Sequence, residues 1–198
     1  MRLVKRIPLA AGMAGGSTDA AAALAAANAA WKLDWPAARL AEIAATLGSD
    51  IPYFFTPGAA LCTGRGEKVE PVRAGGVFHF AVIAPPEGLS TAAVYRACRP
   101  AETPRRAADL ISAWSHGDAA AVGRLLFNRL QEVAESISEW IRRLARELQR
   151  FDCLGHQMSG SGTSYFALCR SATHARRTAA ALASRGLGRT MALSSAPA

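Results

Sequence analysis

Hydrophobic and polar positions along the chain follow helical spacing in some segments and extended spacing in others. An alanine-rich segment predicts a helix over residues 18–31, and a second predicted helix begins at Pro36 and ends before Gly48. Strands are predicted by apolar, β-rich runs over residues 3–7, 59–63, 77–84, 164–169 and 189–193. The alternation of helices with short strands indicates a mixed α and β fold.

The second half of the chain contains most of the helical patterns. Helices are predicted over residues 90–99, 105–115, 119–134, 137–151 and 172–184. In the segment 137–151, apolar residues follow one face and arginines the opposite face, which indicates an amphipathic helix with a solvated side. Ser136 and Glu139 have the spacing of a capping box at its start.

A cluster of turn-forming residues predicts a domain boundary. Pro71, Gly75 and Gly76 interrupt the pattern just before the apolar strand 77–84. A chain of 198 residues can form one large domain or two small ones. The expected division is residues 1–73 and residues 74–198.

The chain is basic, with 23 lysines and arginines, 15 acidic residues and a formal net charge of +8. A basic surface attracts anions, including nucleic acids and phosphorylated substrates. Because the arginines are spread along the chain and form no clustered basic face, no nucleic-acid partner is expected. A steep salt dependence of binding to random DNA would revive that alternative. No apolar run reaches the roughly 18 residues that cross a bilayer. With no signal-peptide pattern at the N-terminus, a cytoplasmic protein without a membrane partner is expected.

The residues that most often bind metals are dispersed. The four cysteines form no CxxC pair, and the four histidines form no HExxH pattern. We therefore expect reduced thiols and no metal site built from protein side chains.

A glycine-rich segment over residues 8–18 carries the strongest chemical signal. Small residues let the main chain approach a ligand, and the first turn of the following helix has unpaired N–H groups that favour an anion. The candidate phosphate-binding residues are Pro8, Leu9, Ala10, Ala11, Gly12, Met13, Ala14, Gly15, Gly16, Ser17 and Thr18.

Two interpretations of this loop are possible. It could be a tight turn with a serine or threonine helix cap, but its length and its hydroxyl-bearing end favour phosphate binding. A branched side chain at Gly15 is then expected to fill the space of a phosphate.

Asp50 is a candidate general base. It lies in a turn between a predicted helix and an apolar stretch, where a carboxylate could accept a hydroxyl proton during phosphoryl transfer. The alternative is an Asx turn, in which the same carboxylate caps the residues around Pro52. The residues alone leave both interpretations open.

The glycine-rich loop resembles the second signature of the GHMP kinases, Pro-x-x-x-Gly-Leu-Gly/Ala-Gly-Ser-Ser. Met13 stands in place of the usual leucine and Thr18 in place of the second serine, so side-chain size and the hydroxyl are retained. The loop matches neither the Walker A pattern nor the dinucleotide-binding Gly-x-Gly-x-x-Gly pattern.

Three further segments resemble one branch of that family, the 4-diphosphocytidyl-2-C-methyl-D-erythritol kinases. They are a Lys-Arg-Ile-Pro sequence ending at Pro8, a Gly-Ser-Asp-Ile-Pro sequence containing Asp50, and a Met-Ser-Gly-Ser-Gly sequence over residues 158–162. The resemblance covers nearly the whole chain in the expected order.

The resemblance implies the α+β GHMP kinase fold. Residues 1–73 would be a truncated N-terminal, ATP-binding domain, and residues 74–198 a ferredoxin-like C-terminal domain. The implied reaction is ATP-dependent phosphorylation of the 2-hydroxyl of 4-diphosphocytidyl-2-C-methyl-D-erythritol, in non-mevalonate isoprenoid biosynthesis. Asp50 would be catalytic, and Gly160, Ser161 and Gly162 would contact this small-molecule substrate. Mg²⁺ is expected, held mainly by the ATP.

The first signature of the family, Pro-x-Lys-x-Asn-Leu, would lie upstream of Met1. In the family it supplies a lysine that pairs with the catalytic aspartate. A reading frame begun at an internal methionine and a real fragment are both open, and the position of Met1 within an expected sheet strand favours the first. We expect the 198-residue chain alone to be a weak or inactive kinase. The alternative function is a non-catalytic nucleotide-binding or interaction module.

Overall fold

The structure, a computed structural model, describes residues 2–8 and 10–195. The chain forms two compact units. Unit 1 comprises Met1–Ile7 and Ala14–Arg73, and unit 2 comprises Pro8–Met13 and Ala74–Ala198. The glycine-rich loop is thus divided, because its first six residues belong to unit 2 and its end begins a helix of unit 1.

Unit 1 contains two helices, a 3₁₀ turn and a hairpin. They are α1 (Gly15–Ala30), α2 (Ala37–Leu47), the 3₁₀ turn Pro52–Phe55, β1 (Ala59–Thr63) and β2 (Lys68–Val72). The two strands are antiparallel, with Thr63 opposite Lys68.

The core of unit 1 is small. Ala21 of α1, Ala44 of α2 and Ile51 are buried together, and Leu24 and Phe54 pack against them. The alanines let the two helices approach closely, and Ile51 fixes the turn that contains Asp50.

Unit 2 is built on a four-stranded antiparallel sheet. Its strands are β3 (His79–Ala84), β4 (Gly155–Met158), β5 (Tyr165–Cys169) and β6 (Arg189–Ser194). Their spatial order is β4-β5-β3-β6, so the first and third strands of the unit are central and the second and fourth are at the edges. This order is that of the ferredoxin-like fold, which confirms the prediction for the second half of the chain.

Helices connect the central strands to the edges. Between β3 and β4 lie α3 (Thr91–Ala97), α4 (Ala108–Ser115), α5 (Ala119–Leu125), α6 (Arg129–Ile137) and α7 (Glu139–Leu148). A single helix, α8 (Ala172–Ala183), connects β5 to β6.

The main core lies on one face of the sheet. Ile83 and Tyr165 project from the strands against Leu144 and Leu148 of α7 and Leu182 of α8, and all five are fully buried. Full burial of a leucine or isoleucine side chain contributes about 1.5–3 kcal/mol. The apolar stripe of α7 therefore anchors the helix on the sheet.

A second cluster covers part of the opposite face. Phe78 and Leu168 pack with Ala113 of α4 and Val122 of α5. The Phe78 ring stacks on Trp114 with a centroid distance of 3.9 Å. Because alternate strand residues point to opposite faces, the same strands supply both cores.

Two predicted elements differ in the structure. Residues 3–7 are not a strand, because none of the described residues pairs with them. The predicted helix 119–134 is divided between α5 and α6, because Asn128 caps the start of α6 instead of continuing a helix.

The predicted capping box of α7 is also wrong. The capping residue is Ser138, whose side-chain oxygen accepts the Ile141 N–H at 3.4 Å. Ser136 lies within α6 instead, and its hydroxyl donates to the Val133 carbonyl.

Within the described part of the chain, no helix is both long and apolar enough to cross a bilayer.

Candidate active site

The N-terminus of α1 is the first part of the candidate site. Ala14 precedes the helix in the left-handed conformation, with φ 48°, and no side chain of the described residues caps this end. The first main-chain hydrogen bond runs from the Thr18 N–H to the Ala14 carbonyl, at 2.9 Å. The N–H groups of Gly15, Gly16 and Ser17 therefore precede the helical ladder, and such groups bind anions.

The two glycines at this end have different surroundings. A Cβ on Gly15 would lie 2.8 Å from Cγ2 of Ile7, whereas a Cβ on Gly16 would meet nothing within 4 Å. Gly15 is buried and Gly16 exposed. The open space expected beside Gly15 is thus occupied by Ile7, and room for a ligand exists beside Gly16.

The hydroxyl of Thr18 donates to the Ala14 carbonyl at 3.0 Å. The oxygen keeps its lone pairs, so it can still accept a hydrogen bond or face a cation. Ser17 lies one residue earlier and is half-buried.

An ion pair joins the start of unit 1 to the same helix. The ammonium of Lys5 contacts Oδ2 of Asp19, and both side chains stay partly exposed, at 28% and 29%. The Lys5 Nζ also lies 3.7 Å from the position of a Cβ on Gly15, so positive charge is held at the helix start. Asp19 was not among the predicted site residues, and nothing in the sequence identified it as the partner of Lys5.

Asp50 lies in unit 1, between α2 and the 3₁₀ turn, and is exposed. Gly66, in the turn of the β1–β2 hairpin, lies beside Asp50. A Cβ built on Gly66 would be 3.3 Å from Oδ1 of Asp50. Burial, and secondarily the Asp50 charge, raise the pKa of the Cys62 thiol. No side chain of the described residues caps the 3₁₀ turn, so its start does not use the Asp50 carboxylate.

The first half of the glycine-rich loop packs within unit 2. The Ser164 N–H donates to the Ala11 carbonyl at 3.0 Å, and the Ser159 hydroxyl donates to the Gly12 carbonyl at 2.9 Å. A Cβ on Gly12 would lie only 2.2 Å from the Ser159 carbonyl oxygen, and the φ of Gly12 is +67°. Glycine is therefore required at position 12. Leu9, another predicted phosphate-binding residue, lies outside the described residues.

The second glycine-rich loop, residues 159–162, lies against Gly12. A Cβ on Gly160 would be 3.3 Å from the Gly12 carbonyl oxygen. Ser161 is buried, and its hydroxyl is 2.8 Å from that of Thr91 at the start of α3. The contact between Gly12 and Gly160 thus brings together two predicted site segments, the first glycine-rich loop and residues 160–162.

Two hollows in unit 2 are lined by residues of the first loop. A groove of about 630 Å³ is lined by Pro8, Ala84, Pro85, Pro86, Gly186, Gly188 and Arg189. A smaller, apolar hollow of about 290 Å³ is lined by Met13, Phe80, Val82, Ser159, Phe166 and Leu193. Phe80 and Phe166 were not predicted as lining residues, because only the strand register places them beside Met13.

No group of three or more described histidine, cysteine, aspartate or glutamate residues could hold a metal ion. Among the predicted site residues near α1, Ser17 and Thr18 carry hydroxyl oxygens suited to a hard cation, and the nearby Asp19 carboxylate is paired with Lys5. A cation there would need most of its ligands from a bound phosphate.

Comparisons with known proteins agree with this geometry. A family profile described as GHMP kinases N terminal domain matches residues 1–58, and one described as GHMP kinases C terminal matches residues 107–187. A solved structure of 4-(cytidine 5'-diphospho)-2C-methyl-D-erythritol kinase superposes with a TM-score of 0.82 and 31% identity, over 98% of this chain and 69% of that one.

The chain belongs to the GHMP kinase family. The predicted resemblance and fold class are thereby confirmed. A homoserine kinase from Cytophaga hutchinsonii has a TM-score of 0.77 at 16% identity, which shows the fold alone.

Several curated relatives of this GHMP kinase carry the name of one branch of the family. The 4-diphosphocytidyl-2-C-methyl-D-erythritol kinase of Rhodococcus jostii is 42% identical over 98% of this chain, and that of Pelotomaculum thermopropionicum is 40% identical over 91%. The chain spans 64% of the first relative and 63% of the second.

Proposed function

We propose that the chain is part of an ATP-dependent kinase that phosphorylates the 2-hydroxyl of 4-diphosphocytidyl-2-C-methyl-D-erythritol. The observation that carries the proposal is the uncapped start of α1, where three main-chain N–H groups precede the helical ladder beside the open space at Gly16. The relatives support the choice of acceptor, since proteins of that name share about 40% of the residues.

The proposed domains follow the family. Residues 1–73 would belong to the N-terminal, ATP-binding domain and residues 74–198 to the C-terminal domain. The unit boundary at Arg73 supports this assignment, whereas residues 8–13 of the proposed N-terminal domain pack within unit 2.

The glycine-rich loop would hold the ATP phosphates. The N–H groups of Gly15, Gly16 and Ser17 can donate to phosphate oxygens, and the helix dipole adds partial positive charge. Lys5 contributes a further positive charge near this helix start, shared with Asp19. Residues 8–13, the first part of the loop, would orient its phosphate-binding end. The main chain at Ala11 and Gly12 is held by hydrogen bonds within unit 2.

Mg²⁺ would accompany the nucleotide and neutralise the charge that develops on the transferred phosphoryl group. The hydroxyl oxygens of Ser17 and Thr18 are the proposed protein contacts to it. Because few protein ligands are available, the ion would be held mainly by phosphate and water oxygens.

Asp50 would accept the proton of the acceptor hydroxyl. Its carboxylate is exposed and is not used to cap the following 3₁₀ turn, so it is free for this role. Transfer of the proton as the hydroxyl attacks the γ-phosphate makes the oxygen a better nucleophile. Gly160, Ser161 and Gly162 are proposed to contact the acceptor substrate.

The test measures ATP binding and acceptor-dependent ADP release. Because the chain spans 64% of the Rhodococcus jostii relative, both are measured on the chain alone and on the chain joined to the preceding part of that relative. We expect both proteins to bind ATP with Mg²⁺, and the joined protein to release ADP only when the diphosphocytidyl acceptor is present.

Asp50→Asn in the joined protein separates catalysis from binding. We expect ATP affinity to persist while kcat falls at least about 100-fold, the scale of a lost general base. Full turnover in this variant would remove Asp50 from the mechanism. ATP binding without ADP release from either parent protein would instead favour a non-catalytic nucleotide-binding module.

A further inference from the structure

Asn128 connects helix α6 to the second glycine-rich loop. Its Oδ1 accepts the Leu130 N–H at 2.9 Å, as a helix cap does. Its Nδ2 donates to the Met158 carbonyl at 2.9 Å and to the Gly160 carbonyl at 2.7 Å. The amide oxygen thus accepts a hydrogen bond from the helix, and both amide hydrogens are donated to carbonyls of residues 158 and 160.

The first turn of α6 supports the start of the same loop through Gln131. The Gln131 Oε1 accepts the Met158 N–H at 3.1 Å, and its Nε2 donates to Oε1 of Glu135 at 2.8 Å. The Tyr165 hydroxyl donates to the same Glu135 oxygen at 3.0 Å. Burial, and then the Glu135 charge, hold the pKa of Tyr165 far above its usual value, so the phenol remains a neutral donor.

The loop is also connected to the first glycine-rich loop. The Ser159 N–H donates to the Ser164 carbonyl at 2.8 Å, and the Ser159 hydroxyl bonds the Gly12 carbonyl at 2.9 Å. A continuous series of hydrogen bonds therefore runs from Asn128 through residues 158–160 to Gly12.

A cap alone does not require asparagine. Serine, threonine and aspartate cap helices about as well, because a cap needs only an acceptor. The two donor hydrogens of the Asn128 amide are used by carbonyls that lie 30 and 32 residues away in sequence. This second set of bonds sets the position of the loop relative to α6.

We propose that Asn128 is a positioning residue, which fixes residues 159–162 and, through Ser159, the backbone of the phosphate-binding loop at Gly12. The inference rests on the proposed function, because it takes residues 8–18 to bind nucleotide and residues 160–162 to contact the acceptor. Loss of the amide donors should therefore loosen the loop and weaken ligand binding while leaving helix α6 capped.

Asn128→Asp tests this separation. Aspartate keeps the size and the cap acceptor, but it has no amide donor and places a carboxylate against two carbonyl oxygens. Asp118→Asn is the matched control, because Asp118 caps α5 through the Ala121 N–H at 2.9 Å, and no bond from its side chain to residues 158–164 is found among the described residues.

The measurements are amide hydrogen exchange over residues 158–164 and calorimetric affinity for Mg-ATP, both on the full 198-residue chain. In Asn128→Asp we expect exchange over this segment to rise, and the Kd for Mg-ATP to increase, each by at least about tenfold. In Asp118→Asn we expect both to match the parent chain. Unchanged exchange in the folded Asn128→Asp variant would reduce Asn128 to a helix cap.

A second variant covers the case in which Asn128→Asp does not fold. Ser159→Ala removes the hydroxyl that bonds Gly12 and leaves α6 intact, and we expect it to weaken Mg-ATP binding severalfold. Faster loop exchange combined with parental ATP affinity in the tested variants would also overturn the proposal. A parent chain that binds no ATP would overturn the proposed function, whereas the exchange measurement would still decide whether Asn128 holds the loop.

Discussion

The hydroxyl of Ser159 donates a hydrogen bond of 2.9 Å to the main-chain carbonyl of Gly12. These residues lie 147 positions apart in the sequence, yet their backbones are in direct contact. The contact leaves no room for a side chain at position 12, so the identity of this glycine is set by packing as well as by its positive φ.

Gly12→Ala should destabilise unit 2. The new Cβ would lie 2.2 Å from the Ser159 carbonyl oxygen and 2.8 Å from that of Gly162, at a φ of +67°. We expect the free energy of unfolding to fall by about 3 kcal/mol or more, from left-handed strain and overpacking together. Denaturant unfolding measures this loss.

Gly186→Ala is the control for Gly12→Ala, because both glycines belong to unit 2. Gly186 has a φ of +65°, but nothing lies within 4 Å of its Cβ position. Only the backbone strain remains there, about 1–2 kcal/mol. Equal losses in the two variants would show that the contact with Ser159 does not constrain position 12.

Gly16→Val should weaken nucleotide binding without a large loss of stability. The valine would project into the open space beside the α1 N-terminus, where nothing lies within 4 Å. We expect the Kd for ATP, measured by calorimetry, to rise at least about tenfold. Gly15→Ala should behave differently, because its Cβ would clash with Ile7 and lower the melting temperature. Parental ATP affinity in Gly16→Val would show that this space holds no phosphate.

Asp50→Asn should make Cys62 more reactive. Burial and the Asp50 charge both raise the pKa of the Cys62 thiol, so removing the charge lowers that pKa and increases the thiolate fraction. Alkylation of Cys62 by iodoacetamide at pH 8, followed by mass spectrometry, should accelerate by about two- to fivefold. Glu70→Gln removes a carboxylate of the same hairpin that does not act on the thiol, and it should leave the rate unchanged.

Stability should decrease at acidic pH through His156. Burial lowers the pKa of this ring below its ordinary value of 6.5, against an opposing contribution from Glu135. As the pH falls through 6.5, the unfolded ring takes up a proton before the folded one, so the free energy of unfolding drops until the folded ring also titrates. His156→Gln should reduce the stability loss between pH 7.5 and pH 5, as measured by denaturant unfolding at each pH. An identical pH dependence in both proteins would exclude His156 as a source.

Much of the fold was predictable from local patterns. The strand β1 was predicted with both ends correct, and the helix α2 with its C-terminal end correct and its start at Pro36, one residue before Ala37, because proline, glycine and apolar spacing mark them locally. Two strands, β2 and β4, were not predicted. In β2 a proline and a glutamate interrupt the apolar residues, and in β4 only four residues pair, so the hydrogen bonds to β1 and β5 determine these strands.

The sequence suggested which residues form the candidate site, but not how they are arranged. The glycine-rich loop was proposed from its residue types and spacing, and the catalytic role of Asp50 from the family resemblance; both stay predictions. The occupation of the space beside Gly15 by Ile7, and the use of Asn128 to hold residues 158–160, depend on tertiary contacts that no local pattern encodes.

The division of the glycine-rich loop between the units has a consequence for how the gene can recombine. Unit 2 requires Pro8–Met13 as well as Ala74–Ala198, so no single continuous stretch of coding sequence encodes it. A crossover that transferred only residues 74–198 would pair the Ser164 amide and the Ser159 hydroxyl with main-chain carbonyls at positions 11 and 12 of the recipient chain. Unit 2 of such a recombinant is therefore assembled from two parents, unless the short upstream segment is inherited with it.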